Sequence, residues 1–190
     1  LMTFEKHPAP IQVTWLGYPY TTGLKAVDLR ITDLIADPVG DSDQWHTEEL
    51  VRLPNGAWCF EGDTAQLPET TLPYDQNGFI TFGSFNNLSK VNLEVIDVWA
   101  QILNRVPNSK LLLKSNQLGE PECIDLLRKL FADEGITEDR LDLLAYTPER
   151  ASHLDLYSRV DLALDTFPYN GTTTTCEALW MATPVLTVLG

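Results

Sequence analysis

Asp165–Trp180, DTFPYNGTTTTCEALW, is the stretch from which the fold can be read. The apolar run just before it, Val160–Leu164, reads as a buried parallel strand. It opens into Pro168, Tyr169, Asn170 and Gly171, turn residues that let the backbone reverse and leave its N–H groups free. Four hydroxyl residues follow, Thr172 to Thr175, and Glu177-Ala178-Leu179-Trp180-Met181 then starts a helix. Strand, glycine turn, hydroxyl cluster and helix N-terminus together make an anion site, because unpaired amides and the positive end of the helix dipole converge. Glu177, one turn into the helix, is within reach of a neutral hydroxyl beside that anion, so a phosphate next to a ribose fits. Thr174-x-x-Glu177 is equally a capping box, in which both side chains only satisfy helix amides. On this stretch alone both readings stand.

Working outward, residues 78–190 are regular. Phe79–Phe82, Lys110–Leu113, Arg140–Leu144, Val160–Leu164 and Pro184–Val188 read as strands. Leu93–Val106 has helical apolar spacing, Pro121–Gly135 is a helix closed by its glycine, and Thr147-Pro148 opens another with a cap and a first-turn proline. Strands alternating with helices predict a parallel sheet covered on both faces, a Rossmann-like lobe with ligands at the carboxyl ends of its strands. The chemical candidates do follow strands: Asn86, Asn87 and Lys90, then Lys114, then Arg150 and His153, then Gly171 to Glu177. That order favours the nucleotide site over the cap. In Gly83-Ser84-Phe85-Asn86-Asn87-Leu88-Ser89-Lys90, a first-turn lysine sits where the helix dipole disfavours a cation, which points to a diphosphate partner.

Upstream, Ile11–Trp15, Leu29–Thr32 and Leu50–Leu53 read as short strands around the acidic loop Asp37–Asp43. Residues 67–78 look most like a linker, which places a domain boundary near residue 77. Both ends look cut, as in a fragment of a larger protein.

The 190 residues are 44% apolar and carry a net charge of −14, enough for a real core and unfavourable for nucleic acid or an anionic membrane as partner. Cys59, Cys123 and Cys176 lack metal-ligand spacing and suit a reducing cytoplasm. No leader and no membrane-spanning run stands out, and the two Asn-x-Ser/Thr matches read as chance. His7 and His46 have no supporting pattern. Signatures of P-loop ATPases, dinucleotide dehydrogenases, zinc proteases and serine hydrolases are absent from the sequence.

PAPIQVTWLGYP…TTG, ITFGSFNNLSK, VPNSKLLLK and DTFPYNGTTTTCEALWMATPVLT closely resemble the catalytic region of the O-linked N-acetylglucosamine transferase family, the O-GlcNAc transferase and SPINDLY-like group, in its bacterial form. The resemblance covers nearly the whole chain. It implies a GT-B glycosyltransferase, α/β throughout, with residues 1–77 as the end of the first lobe and 78–190 as most of the second. It implies inverting transfer of N-acetylglucosamine from UDP-N-acetylglucosamine to protein Ser or Thr hydroxyls, without metal or other cofactor. Lys90 matches the lysine on the donor diphosphate, and Thr173 and Thr174, beside Asn170, Gly171 and Thr172, match the phosphate-side residues. Glu177 matches the acidic residue on the ribose and His153 a histidine beside the nucleotide. Leu16, Gly17 and Pro19 match the first-lobe loop facing the donor sugar.

The sequence departs from the family in places. Asn87 stands where some relatives carry glutamine, and Tyr20 where the family usually has glycine. Arg150 aligns with a family lysine only after a one-residue insertion. The family's upstream half-lobe with its proposed base, and its TPR repeats, have no counterpart here. Two other readings stay open: a non-catalytic nucleotide-sugar-binding or scaffold module, and the same fold with another donor such as GDP-fucose or UDP-glucose.

Overall fold

The computed structural model describes residues 2–64, 68 and 71–188, and the chain divides into two compact units, residues 1–60 and 61–190. The sequence placed the boundary near residue 77, on the strength of its turn-rich composition. Residues 61–77 instead group with the second unit, and part of the expected linker, Pro73–Asn77, forms a one-turn-plus helix (α1) with Pro73 in its first turn and Gly78 in the left-handed conformation at its end. Leu67, where that linker was expected to start, lies outside the described residues.

The first unit holds three parallel strands, β1 (Val13–Thr14), β2 (Leu29–Asp33) and β3 (Glu49–Leu53), with β2 in the middle. Its core is thin: the buried apolar residues there are Ala26, Val27 and Ala57. Polar clamps hold it instead. The Arg30 guanidinium donates to the carbonyls of Tyr18 and Tyr20, both at 2.8 Å. Asp33 accepts the amides of Ile35, Ala36 and Ala57 at 2.8–2.9 Å. Burial pushes the Glu48 carboxyl up, but hydrogen bonds from the Thr21 and Thr22 hydroxyls and the Thr22 amide outweigh it and bring it down to about 2.

In the second unit, apolar strands and amphipathic helices alternate: β4 (Thr81–Ser84), α2 (Leu93–Arg105), β5 (Lys110–Lys114), α3 (Pro121–Asp133), β6 (Leu141–Leu144), α4 (Arg150–Asp155), β7 (Leu162–Leu164), α5 (Thr173–Trp180) and β8 (Val185–Leu186). All pairings are parallel, in the order β6-β5-β4-β7-β8. Because side chains alternate across a strand, Leu111 and Leu113 join Val95, Trp99, Leu103 and Phe131 of α2 and α3 on one face. Leu112 and Ala163 join Leu154, Tyr157, Ala178 and Met181 on the other. Helices therefore cover both faces, as the sequence predicts.

Two local expectations shift. The helix expected to open at Thr147-Pro148 starts at Arg150, after Glu149 and without a side-chain cap. The glycine closure of α3 is as expected: Gly135 takes φ +81°, and the Ile136 amide returns to the Phe131 carbonyl at 2.9 Å.

Candidate functional site

The order β6-β5-β4-β7-β8 reverses direction between β4 and β7, which is where an open parallel sheet leaves a crevice outside its carboxyl ends. The loop after β4 carries Asn86, Asn87 and Lys90, and the loop after β7 carries Asp165 to Thr172. These loops meet. The Lys90 amine donates to the Asn170 carbonyl at 2.9 Å and lies 4.4 Å from the centre of the Tyr169 ring. Burial pushes its pKa down, and the negative charge of Asp165 partly restores it. The Asn87 carboxamide accepts the Ser89 amide at 2.9 Å, capping the short turn Leu88–Lys90 that presents the lysine.

Asp165 is the hub of this junction and was not singled out from the sequence. It is 7% exposed. One carboxylate oxygen accepts the amides of Thr166 at 2.9 Å and Gly171 at 2.7 Å, with the Asn86 side chain at 3.3 Å. The other accepts the Thr187 hydroxyl at 2.9 Å and faces the Asn170 side chain at 3.4 Å. Gly171 is required by close approach and not by a left-handed φ: a Cβ there would come within 2.7–3.0 Å of Thr174, Thr175 and Asp165. The expectation that the Gly171 amide is free is therefore corrected, since the buried carboxylate of Asp165, six residues earlier, takes it up.

The capping box is also excluded. Helix α5 begins at Thr173, with Thr172 as its cap residue and no side-chain cap. The Thr174 hydroxyl donates instead to Asn86 Oδ1 at 3.1 Å, and the Glu177 carboxylate faces His153 Nε2 at 3.0 Å. Both side chains thus point to partners on other elements. The first amides of α5, at Thr173 and Thr174, precede the first α-helical bond, from the Cys176 amide to the Thr172 carbonyl, and stand at the positive end of the dipole.

Beside this junction lies a cleft of about 510 Å³, lined by Phe85, Asn87, Lys114, Gln117, Tyr146, Arg150, His153 and Thr174 among others. Arg150 is exposed at its rim. His153 sits between Lys114 and Glu177, with Lys114 Nζ 2.5 Å from its Nδ1. Burial holds the Lys114 amine below the ordinary lysine range, with Glu177 opposing the shift. The Tyr157 phenol, pushed up by burial and by the Glu177 charge, stays protonated and donates to the Thr174 carbonyl at 3.1 Å.

Lys90, Asn170, Gly171, Thr172, Thr173 and Thr174 therefore gather at the switch point, and Asn87, Arg150, His153 and Glu177 at or beside the cleft. Leu16, Gly17 and Pro19 belong to the first unit. There Leu16 is left-handed at φ +58°, the Gly17 amide turns back to the Trp15 carbonyl at 2.6 Å, and Leu16 and Pro19 line a pocket of about 70 Å³ with Trp15, Tyr18, Arg30 and Trp58. Tyr20 is exposed, its ring 5.2 Å from that of His46. Among the described residues no cluster of His, Cys, Asp and Glu could hold a metal ion, and no helix is long and apolar enough to cross a membrane.

Strand order and helix placement define a Rossmann-like α/β lobe, and the chain as a whole has the α/β make-up of GT-B proteins. It belongs to glycosyl transferase family 41, whose model matches residues 2–72 and 69–190. A probable UDP-N-acetylglucosamine–peptide N-acetylglucosaminyltransferase SPINDLY from Oryza sativa is 50% identical over all of this chain, which spans 20% of that relative. A mutant of the Thermobaculum terrenum O-GlcNAc transferase superposes with a TM-score of 0.84 at 41% identity, over 97% of this chain and 34% of that one. An Anabaena protein, HepE, solved with UDP-glucose, shares the fold at 18% identity and a TM-score of 0.53, over 84% of this chain and 44% of that one. The chain spans about a fifth of the length of the curated relatives it matches.

Proposed function

We propose that this chain is the donor-binding part of an inverting glycosyltransferase that moves N-acetylglucosamine from UDP-N-acetylglucosamine to Ser or Thr hydroxyls of proteins in the cytoplasm. The observation that carries the reading is the meeting of Lys90 with Asn170, in the loop that leads into the N-terminus of α5 at the β4/β7 switch point, beside a cleft with room for a nucleoside. The names of its relatives, a UDP-N-acetylglucosamine–peptide N-acetylglucosaminyltransferase and an O-GlcNAc transferase, support this choice of sugar and acceptor class.

In this reading the pyrophosphate lies against the first amides of α5 and the Lys90 ammonium. The nucleoside enters the cleft toward His153, and Glu177 accepts from the ribose. The acceptor oxygen bonds to the anomeric carbon as its proton passes to a base outside the residues named here, the bond from that carbon to UDP breaks, and the electron pair leaves with UDP. Lys90 and the helix dipole are already aimed where that negative charge grows, so their help is electrostatic preorganisation. No metal takes part in this reading, since lysine and the helix terminus do what a divalent ion does elsewhere. Leu16, Gly17 and Pro19 supply the sugar-facing loop of the first lobe. Residues 1–60 belong to the end of that lobe, and residues 61–190 to most of the second.

Calorimetric titration of the full-length protein with UDP, GDP, UDP-N-acetylglucosamine and GDP-fucose tests the reading. UDP and its sugar should bind, and Lys90→Ala or Glu177→Ala should each weaken UDP by about 10- to 100-fold, the loss of a charge-assisted contact. Tighter binding of GDP would replace the donor and keep the site. Binding of none of the four would leave a scaffold module.

A further inference from the structure

Lys114 ends β5 in a run of buried leucines and is itself 5% exposed. Its amine meets His153 Nδ1 at 2.5 Å, and the rings of Phe85 and Tyr146 flank it at 5.9 and 6.0 Å. An ammonium has no lone pair, so Nδ1 must accept, and the single proton of a neutral imidazole must then sit on Nε2. Nε2 faces a Glu177 oxygen at 3.0 Å, so the ring donates there. With the proton on Nδ1 instead, two lone-pair atoms would face each other across that distance.

We propose that Lys114 is a positioning residue for the nucleoside end of the cleft: its ammonium selects the Nε2–H form of His153, which fixes the Glu177 carboxylate for a ribose hydroxyl. The ligand in this statement rests on the nucleotide-binding reading above, whereas the Lys114–His153–Glu177 chain rests on the contacts alone. It links three elements that the sequence keeps apart, the end of β5, α4 and α5. Arg150, exposed at the rim, has no such link to His153 or Glu177 among the described residues.

Two readouts on the full-length protein test it. In the first, the protein carries histidine labelled with ¹⁵N in the ring, and the His153 signals are assigned by their loss in His153→Ala. The parent should show the Nε2–H form, and Lys114→Met a mixture of both tautomers. Lys114→Gln, which keeps a donor without charge, serves the same purpose if Lys114→Met does not fold. In the second, UDP affinity is measured for Lys114→Met, His153→Ala and the double variant. Lys114→Met should weaken UDP about tenfold, add less than about twofold once His153 is gone, and be largely rescued by Lys114→Arg. Unchanged His153 signals in Lys114→Met would overturn the proposal. So would a loss of affinity that persists in full in the His153→Ala background, because the ammonium would then touch the nucleotide itself. If the parent binds no nucleotide, the functional reading fails, and the histidine signals still decide whether Lys114 sets the tautomer.

Discussion

In the second unit the buried Asp165 meets two backbone amides, two side-chain amides and a hydroxyl. In the first unit Gln12 Oε1, Arg30 Nε and His46 Nε2 are buried without a hydrogen-bond partner, the three such side-chain atoms among the described residues. The apolar residues divide the same way. Both core clusters, with Trp99, Phe131, Leu111 and Leu112, lie in the second unit. In the first, Trp15, Tyr18, Tyr20, Trp45 and Trp58 are exposed. A full core can hold loop ends still enough for every polar group to be satisfied, and the donor site proposed above would be built on such ends. Where the core is thin, single charged side chains hold the loops, and some of their own atoms go unsatisfied.

The largest expected effect tests the core half of this contrast. Phe131, fully buried under α2 and β5, should cost about 3–5 kcal/mol on change to alanine, from lost transfer energy and the cavity left behind. Chemical denaturation of parent and Phe131→Ala reads this directly. A cost below about 1 kcal/mol would mean that the second unit is held by something other than its core.

A smaller effect is expected at the hub. Asp165→Ala strands the amides of Thr166 and Gly171 and removes the charge that supports the Lys90 ammonium. About 2–3 kcal/mol of stability should go, together with UDP binding, since unmet buried donors keep their full desolvation penalty. A variant that keeps both its stability and its UDP affinity would show that the Gly171 turn stands without the carboxylate.

Much of this was legible beforehand, and the failures have physical causes. Apolar runs marked the strands of the parallel sheet, because both of its faces are covered and continuous hydrophobicity survives burial. The Lys90 loop and the threonine-rich helix start were visible as strand-to-helix turns. Asp165 was not, since its partners lie on loops 79 residues upstream and 22 downstream, and nothing local marks a carboxylate that collects distant donors. The Lys114–His153 contact spans 39 residues and escaped for the same reason. Thr174 and Glu177 have capping-box spacing, but α5 starts too early for Thr174 to cap it, and only the backbone could show that. Helix α1 was missed because five residues that begin with a proline and are mostly polar show no periodicity.

The smallest expected effect concerns the thin-core half and is a pH dependence. Glu48 is buried against the loop that carries Thr21 and Thr22, and their hydrogen bonds bring its pKa from 4.5 to about 2. A carboxyl group depressed on folding adds stability above its unfolded value, and that contribution disappears as pH falls toward the folded value. Glu48 should therefore contribute on the order of 2 kcal/mol at neutral pH, fading between about pH 4.5 and 2. Other carboxylates titrate in the same range, so the informative quantity is the difference between parent and Glu48→Gln, which cancels the groups they share. That difference should shrink steadily over this interval and be near zero at its lower end, and Thr22→Ala should move its midpoint upward by removing one of the bonds to the charged form. A difference that stays flat with pH would mean that Glu48 acts by shape alone, and the contrast between a clamped first unit and a packed second one would lose its main support.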